Sequence, residues 1–341
     1  MGITIKEIAQ LAGVHRSTVD KVIHNREGVS DAVRKKIKKI IEENNYQANP
    51  IGKALKMQDK TLNIKVILMK VDALSYLMKG IESMMKNYGS FNINLDYEIL
   101  DFANVNLLKE MIISAIDEEY DGLIISPLNT AEIVEAIDYG SQKGIPIVTV
   151  NSDVKGSERL SFVGQNGYKA GKVAGRFMGE FLKGTGKVAI LTSDSDEHQS
   201  FPFGTREGGF RDTLSHSYQD IELLPSIRTY ENSTITHRKT AKLLSEIPDL
   251  KGLFITCGCV KDACEALLES NLTNIKLICF EEYPEILEML DKDVITMTIA
   301  SGLVEQGEIA LKTLLDKLIY EISPPKKHLY TDIHILVKES L

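Results

Sequence analysis

The chain opens with a pattern for two short helices joined by a tight turn, and this pattern constrains the fold more than any other stretch. Thr4 and Glu7 have the spacing of a capping box, in which each side chain accepts from the other residue's backbone N–H. Gly13 ends the apolar periodicity of the first helix, and Val19 and Val22 mark the inner side of a second. Two short helices with a Gly-containing turn predict a helix-turn-helix unit.

The first turn of the second helix carries side chains suited to DNA. Arg16 is a bidentate donor that matches guanine, and Ser17 and Thr18 are short hydroxyls that serve phosphates or bases. In helix-turn-helix proteins the N-terminal residues of this helix meet the base edges. A third helix is predicted from Ser30, a good N-cap residue, to about Asn44. The alternative is that the Arg-Ser-Thr turn is an ordinary solvated polar face.

A second basic segment follows at the neck of the chain. Asn49 and Pro50 have the N-cap and N1 pattern of a further helix. This helix is too short to persist alone in water, so it needs a partner surface before it folds. Lys53 and Lys56 offer contacts to phosphates, and Leu55 is an apolar wedge of the kind that opens a base step from the minor groove.

At this point the sequence resembles the lactose-repressor (LacI) family. The resemblance rests on Thr4-Ile5-Lys6-Glu7-Ile8-Ala9, Ala12-Gly13-Val14, Thr18-Val19, Val29-Ser30, Asn45-Tyr46 and residues 49–55. It implies DNA binding by Thr4, His15, Arg16, Ser17, Thr18, Lys21, Asn25, Arg26, Tyr46, Asn49, Lys53, Leu55 and Lys56.

Two departures from the family pattern lie in the second helix and its turn. His15 stands where Ser is usual, and Asp20 also stands where Ser is usual. Asp20 either accepts from a cytosine amine or pairs with Arg16 or Lys21. We prefer the ion pair, because an unpaired carboxylate near phosphates costs affinity.

The charge of the chain is divided unevenly. Residues 1–60 carry 12 Lys and Arg against 7 Asp and Glu, whereas the other residues carry 28 against 41. A basic head on an acidic body suggests a nucleic-acid arm. At 341 residues, the chain is long enough for two or three compact units.

Neither an export signal nor a membrane span is predicted, so we expect a cytoplasmic protein without membrane contact. Lys6 and Glu7 interrupt the N-terminus before an apolar run forms, and no stretch approaches 18 uncharged apolar residues. Four cysteines lie close together in the sequence: Cys257, Cys259, Cys264 and Cys279. Their spacing lacks two separated pairs and a nearby His, so we expect buried reduced thiols and no metal or other cofactor.

The body alternates between buried strand patterns and amphipathic helix patterns. Strands are predicted at Ile64–Met69, Gly122–Ser126, Ile145–Val150, Val188–Leu191, Gly252–Thr256, Ile275–Phe280 and Val294–Ile299. Helices are predicted at Tyr76–Tyr88, Leu107–Glu119, Thr130–Lys143, Lys169–Lys183, Thr205–Leu214, Thr234–Glu246 and Val260–Ser270. The predicted fold class is a small all-α head plus a two-lobed α/β body with doubly wound parallel sheets.

Ligands of such sheets bind outside the carboxyl ends of the strands. The residues at these positions are rich in amides and carboxylates and include one Arg, which suits a polyhydroxylated small molecule. Asp72 directly follows the first predicted strand. Because the chain has no Trp, ring stacking would come from Tyr76, Phe201, Phe203 or Tyr283.

Residues 62–338 resemble periplasmic sugar-binding proteins of the ribose-receptor type. The resemblance rests on residues 121–127, 144–148 and 163–166, on Gly171 and Gly175, and on residues 206–210. It places Asn129, and Asn151 or Asp153, where polar side chains grip sugar hydroxyls. It also matches Arg206 to the family's ligand Arg and Glu281 to a usual Asp, and Ser301 replaces a common Gln.

The predicted domains are a DNA-binding head (1–48), a hinge helix and linker (49–61) and a two-lobed body (62–338). Lobe N is expected at about 62–163 plus 296–322, and lobe C at about 164–295 plus 323–338. The predicted function is a sequence-specific regulator, a repressor of a carbohydrate operon, whose affinity for double-stranded operator DNA is set by a sugar or polyol. A homodimer is expected, and a tetramer built from two such dimers is the alternative.

Three alternatives stay open. The first is a nucleobase or nucleoside as effector. The second is a cytosolic sugar receptor without specific DNA binding, whose head is only a docking module. The third is an enzyme, since Asp196, Glu197 and His198 crowd one loop, although no nucleophile elbow or phosphate loop accompanies them.

Overall fold

The protein divides into two units, residues 1–55 and 56–341, each of which is considered by itself. The structure is a computed structural model that describes residues 3–23, 26–44, 55, 57–58, 60–101, 104–193, 203–270, 272 and 274–341. Within these ranges no helix is both long and apolar enough to cross a membrane.

The head is the predicted helix-turn-helix unit with a third helix. Its helices are α1 (Ile5–Ala12), α2 (Arg16–Ile23) and α3 (Asp31–Glu43). The capping box is confirmed: Glu7 N donates to Thr4 Oγ1 at 3.3 Å, and Thr4 N donates to Glu7 Oε2 at 2.8 Å. Gly13 ends α1 at φ +68°, a conformation that costs a residue with a Cβ more than it costs glycine.

A small apolar core holds the three helices of the head together. Its buried members are Ile8, Ala9, Ala12, Val19, Val22 and Ile37. The inner side predicted for α2 is thus confirmed at Val19 and Val22, which leaves the opposite side of this helix polar.

The body consists of thirteen strands and nine α-helices within the described residues. The strands are β1 Thr61–Met69, β2 Asn92–Leu100, β3 Gly122–Ile125, β4 Ile147–Val150, β5 Ser161–Gln165, β6 Gly186–Thr192, β7 Ile221–Leu223, β8 Ile227–Arg228, β9 Leu250–Ile255, β10 Lys276–Phe280, β11 Met297–Ala300, β12 His328–Thr331 and β13 His334–Leu336. The helices are α4 Leu74–Met85, α5 Val105–Asp117, α6 Ala131–Gln142, α7 Gly167–Phe181, α8 Phe203–Ser217, α9 Ser233–Glu246, α10 Val260–Glu269, α11 Pro284–Asp291 and α12 Leu303–Tyr320. Short 3₁₀ helices lie at Lys86–Tyr88 and Lys338–Ser340.

The strands form two sheets, which confirms the two-lobed doubly wound body. The sheet of lobe N has the order β12-β5-β4-β3-β1-β2, with parallel pairing throughout. The sheet of lobe C has the order β13-β11-β10-β9-β6-β7, with β8 also paired to β6. Its β11–β13 pair is antiparallel and its other pairs are parallel.

Two strands belong to the opposite lobe from the one predicted. β11, expected in lobe N, pairs with β10 in lobe C, and β12, expected in lobe C, pairs with β5 in lobe N. Helix α12 lies between them in sequence and packs against α4 and β3–β5 of lobe N. The sequence locates these strands but does not determine their neighbours in the sheets, so both crossings between lobes lie later in the chain than expected.

Other differences concern elements with weak sequence patterns. β2 was not predicted because polar residues interrupt its apolar ones, as suits an edge strand that stays half exposed. Thr61, assigned to the linker, is the first residue of β1. The C-terminal helices α11 and α12 were also not predicted.

Glycines allow α7 and α8 to pack closely. A Cβ at Gly171 would overlap the carbonyl oxygen of Arg206, and a Cβ at Gly209 would overlap that of Tyr168. The adjacent Gly208 has no atom within 4 Å of its Cβ position. The close approach of the two backbones therefore depends on particular glycines, and it fixes the turn of α8 that carries Arg206.

We predict opposite effects of alanine at these adjacent glycines. Gly209→Ala lowers the free energy of unfolding by about 1–3 kcal/mol, because backbone must move to admit the methyl group. Gly208→Ala, the matched control, raises it by about 0.4–1 kcal/mol by restricting the unfolded chain. Denaturant unfolding of the full chain measures both, and equal changes would contradict the packing argument.

Candidate functional site

The exposed side of α2 is the candidate nucleic-acid surface of the head. Arg16 and Ser17 are exposed at its first turn, and Thr18 is half-buried. His15 acts as a cap: its Nδ1 lies 2.8 Å from Ser17 Oγ and 3.4 Å from the backbone nitrogen of Ser17. The residue that departs from the family pattern thus holds the start of the helix.

Asp20 forms an ion pair in the head, although with a partner that the sequence analysis did not name. Its carboxylate lies 3.7 Å from Nη1 of Arg26. The backbone nitrogen of Arg26 donates to the carbonyl of Lys21, so the turn after α2 brings Arg26 back toward Asp20. Nη2 of Arg34 donates to the carbonyl of Arg26 at 2.6 Å and holds that turn.

The other predicted DNA contacts of the head are mostly accessible. Thr4, Lys21, Arg26 and Leu55 are exposed. The hydroxyl of Thr4 is already engaged in the cap of α1, so its contribution to DNA binding includes holding that helix. Asn25, Tyr46, Asn49, Lys53 and Lys56 lie outside the described residues.

The body contains a cavity of about 770 Å³ between the carboxyl ends of its two sheets. Its walls are the segments after β1, β3 and β4 of lobe N and after β6, β8, β9 and β10 of lobe C. Of the predicted ligand residues, five line it: Asp72, Asn129, Asn151, Arg206 and Glu281. The volume suits a small molecule of the size of a sugar.

Arg206 is the buried cation of the cavity. It lies in the first turns of α8 with 4% of its surface exposed. Nη1 donates to the carbonyl of Thr256 and Nη2 to Oε1 of Glu281, both at 3.0 Å. The guanidinium carbon lies 3.7 Å from the ring centre of Phe280, and among the described residues its buried Nε has no acceptor. Pairing and stacking together compensate the burial of the charge.

Glu281 is held from behind by Ser301. The backbone of Glu281 has φ +75°, and its Oε2 accepts from Ser301 N at 3.2 Å and from Ser301 Oγ at 2.7 Å. Ser301 itself does not line the cavity. The prediction that it contacts ligand is corrected on this point: its hydroxyl is buried and directed at the carboxylate of Glu281.

A chain of hydrogen bonds continues from this ion pair into lobe N. Nε2 of Gln306, near the start of α12, donates to the carbonyl of Ser301 at 2.9 Å. Oε1 of Gln306 accepts from Nδ2 of Asn151 at 3.5 Å. Asn151 follows β4 and lines the cavity. The polar groups of the two walls are therefore connected through Gln306.

Two predicted ligand residues are placed away from the cavity. The carboxylate of Asp153 is buried against Arg159 at 2.6 Å and accepts from Thr149 Oγ1 at 3.0 Å. Of the alternatives Asn151 and Asp153, only Asn151 lines the cavity, because the chain turns at Asn151 with φ +65°. Tyr76 packs behind Tyr283 with ring centres 5.3 Å apart. Phe201 lies outside the described residues.

Aromatic side chains form part of the wall in lobe C. Phe203 and Tyr283, which were predicted, line the cavity together with Phe280 and Tyr230, which were not. Tyr230 follows the two-residue strand β8, too short to give a periodic signal in the sequence. These rings offer faces for the C–H surfaces of a sugar or the plane of a base.

Acidic side chains dominate the electrostatics of the cavity. Burial raises the pKa of Asp72, and the carboxylates of Glu285 and Asp262 raise it further. Burial also raises the pKa of Glu231, against a lowering hydrogen bond from Gly258 N at 3.2 Å. Burial raises the pKa of Cys257 to about 12 and that of Cys259 to about 11, so both thiols in this wall are protonated at neutral pH.

The sequence matches two known families. Residues 4–49 match the bacterial regulatory proteins of the lacI family, and residues 74–321 match the periplasmic binding protein domain. The HTH-type transcriptional regulator MalR of Clostridium butyricum is 27% identical over 76% of this chain and 78% of that protein. The regulator IdnR of Escherichia coli is 26% identical over 74% and 73%, respectively. The sucrose operon repressor of Staphylococcus xylosus is 26% identical over 52% of each chain.

Solved structures share the fold of the body. The glucose-galactose binding protein GanP of Geobacillus stearothermophilus superposes with a TM-score of 0.75 at 23% identity, over 83% of this chain and 99% of that one. A solute-binding protein of Burkholderia graminis in complex with D-arabinose superposes with a TM-score of 0.76 at 21% identity, over 82% and 96%, respectively. At this level of identity, the likeness shows the fold alone.

We predict that Asp72→Asn stabilises the protein at neutral pH. Because folding raises the pKa of Asp72, the ionised carboxylate is less stable in the folded chain than in the unfolded chain. The midpoint of thermal unfolding should therefore rise at pH 7, and the gain should shrink as the pH falls and the wild-type carboxyl takes up its proton.

Calorimetry of the full chain between pH 7 and pH 4 measures this effect. Glu246→Gln is the matched control, because Glu246 is an exposed acid that pairs only weakly with Lys242 at 3.6 Å. A lower midpoint for Asp72→Asn than for wild type at pH 7 would show that its carboxylate stabilises the cavity after all.

Proposed function

We propose that this chain is a DNA-binding transcriptional regulator controlled by a sugar or polyol. It belongs to the lacI family of bacterial regulatory proteins, and its body belongs to the periplasmic-binding-protein family. The observation that carries this proposal is the presence, in one chain, of a helix-turn-helix head and a two-lobed cavity with a buried Arg. The head binds operator DNA, and the cavity binds the effector.

The DNA-binding part of the proposal is supported by the chemistry of α2. Val19 and Val22 anchor the helix, and Arg16 and Ser17 remain exposed at its N-terminal turn. This is the part of the second helix that reaches base edges in helix-turn-helix proteins. The basic charge of residues 1–60 favours DNA, whereas the acidic remainder repels it and so favours approach by the head.

The sugar part is supported by the donors and acceptors of the cavity. Asn129 and Asn151 offer amides, and Arg206 has five N–H groups, of which two bond to described residues. The relatives include an operon repressor named for sucrose, and the structural neighbours include sugar-binding proteins. We infer a repressor of carbohydrate-utilisation genes.

The proposed mechanism is linkage between the cavity and the DNA-binding state. Hydroxyls of the effector compete for the groups of the chain Asn151–Gln306–Ser301–Glu281, which joins the two walls. The effector then favours one arrangement of the lobes over the other. The effector can change operator affinity only by as much as its own affinity differs between the two arrangements of the lobes, typically about 1–3 kcal/mol.

The regulator is further proposed to act as a cytoplasmic homodimer on a pseudo-palindromic operator. A symmetric dimer places two recognition helices on half-sites one helical turn or a multiple of it apart.

Arg206→Ala tests the effector site. It should abolish the change in operator affinity caused by the most stabilising compound of a sugar and cyclitol panel, while leaving operator affinity without that compound unchanged. The operator is first selected from random duplexes by the full chain. Arg211→Ala is the control on the same helix, since Arg211 bonds to Glu207 and Ser226 and does not line the cavity. A full response in Arg206→Ala would refute the site.

Arg16→Ala tests the recognition helix. It should weaken operator binding by about 1–3 kcal/mol and relax the preference at one base pair in each half-site. Gel-shift titrations against the operator and against a scrambled duplex separate the two effects. Lys36→Ala, an exposed cation on α3, should not alter base preference. An equal loss on both duplexes would assign Arg16 to a phosphate instead.

A further inference from the structure

Two carboxylates face one another across the cavity, one from each lobe. Asp72 follows β1 of lobe N, and Glu231 follows β8 of lobe C. Both lie beside Gly258: a Cβ built at this glycine would be 3.1 Å from Oε1 of Glu231 and 3.7 Å from Oδ2 of Asp72. Glycine at 258 leaves the space between the two carboxylates open.

The protein holds Glu231 in place at a conformational cost. Tyr230 and Glu231 are consecutive non-glycine residues with left-handed backbones, at φ +57° and +48°. Such conformations are unfavourable for residues with a Cβ and persist only where surrounding contacts impose them. Here the backbone nitrogen of Glu231 donates to Ser193 Oγ at 2.8 Å, and its carboxylate accepts from Gly258 N.

The cavity has more acids than its cations neutralise. Six acids and two cations line it: Asp72, Glu231, Asp262, Glu265, Glu281 and Glu285 against Arg206 and Lys261. Arg206 pairs with Glu281, and Lys261 lies 3.9 Å from Glu265. The four other carboxylates have no cation at ion-pair distance among the described residues. Unpaired carboxylates in a cleft that is partly shielded from water repel one another, and this repulsion favours the binding of a cation.

The same cavity contains a deeply buried donor that needs an acceptor. Arg206 is more than nine-tenths buried and lines the wall, and within the described part of the chain its Nε has no partner. A ligand that suits the whole cavity therefore carries oxygen acceptors near Arg206 and positive charge near Asp72 and Glu231. No group of three or more acidic, His or Cys side chains in the described ranges has the geometry to hold a metal ion, whereas an ammonium group needs only two carboxylates.

We propose, on the basis of the function above, that the effector is a polyhydroxylated compound with a protonated amine, such as an amino sugar or an aminocyclitol. Its ammonium group lies between Asp72 and Glu231, and its hydroxyls bond to Arg206, Asn129 and Asn151. An ammonium donates three hydrogen bonds and can join carboxylates on both lobes. Charge-assisted hydrogen bonds of this kind favour the closed arrangement of the lobes over the open one.

Binding of matched compounds to the full-length protein tests the proposal by titration calorimetry. The pairs are D-glucosamine with D-glucose, and an aminocyclitol with the inositol of the same ring stereochemistry. N-acetyl-D-glucosamine keeps the nitrogen but removes its charge. In at least one pair, the amine should bind about tenfold or more tightly than its neutral partner. The acetylated compound should lose this advantage.

Variants assign the preference to the two carboxylates. Asp72→Asn with Glu231→Gln should reduce affinity for the amine about tenfold or more and leave the neutral partner nearly unchanged. Glu246→Gln, the remote control, removes one negative charge without removing the preference. Thermal unfolding without ligand verifies that each variant is folded, and the double variant should be no less stable than wild type.

Neutral compounds that bind as tightly as their amine partners, or an amine preference that survives in the double variant, overturn the proposal. A panel in which no amine binds overturns it as well. If only neutral sugars change the affinity for the operator, the proposed function stands and this inference fails. If no specific operator can be selected, the proposed function itself fails.

Discussion

The buried ion pair between Arg206 and Glu281 is the constraint on which the effector cavity depends. A charge taken out of water is costly unless partners replace the lost hydration. Arg206 obtains these partners from two strand ends of lobe C: the carbonyl of Thr256 after β9, and the ring of Phe280 and the carboxylate of Glu281 at the end of β10. Removal of any one of them would leave the buried charge less well compensated, so all three hold the guanidinium in this position.

This ion pair is also connected to the other lobe. Glu281 is held by Ser301, Ser301 by Gln306, and Gln306 meets Asn151 after β4. Ser301 lies between β11 of lobe C and α12, which packs on lobe N, so it occupies a point where the chain crosses between lobes. Arg206 and Asn151 lie at the two ends of this series of hydrogen bonds, and Ser301 at the crossing lies within it. A ligand that changes the bonds of Arg206 or Asn151 therefore acts on groups linked to the crossing.

Two of the acids that line the cavity differ from Arg206, because their charges are not compensated and lower the stability of the folded protein. Asp72 and Glu231 have raised pKa values because burial and neighbouring acids disfavour their charged forms. A cation relieves this repulsion between carboxylates. The repulsion that destabilises the protein without ligand therefore favours binding of a positively charged ligand. The left-handed backbone at Glu231 adds to the cost, and strain of this kind is found where function requires it.

The sequence alone determined the helices of the head and many of the strands and helices of the body. The capping box at Thr4, the turn at Gly13 and the apolar periodicity of α2 act over a few residues, so they can be recognised without a structure. The strand-end rule located Asp72, and the resemblance to periplasmic sugar-binding proteins located Asn129, Asn151, Arg206 and Glu281; both rest on short local patterns in the sequence.

Tertiary structure decided which of these groups meet. It assigned β11 and β12 to their sheets, turned Asp153 toward Arg159 and placed Ser301 behind Glu281. It also brought Glu231 opposite Asp72, two residues that are far apart in the sequence and that follow strands of different lobes. Strand pairing and side-chain burial depend on contacts between distant segments, and no periodicity within one segment contains that information.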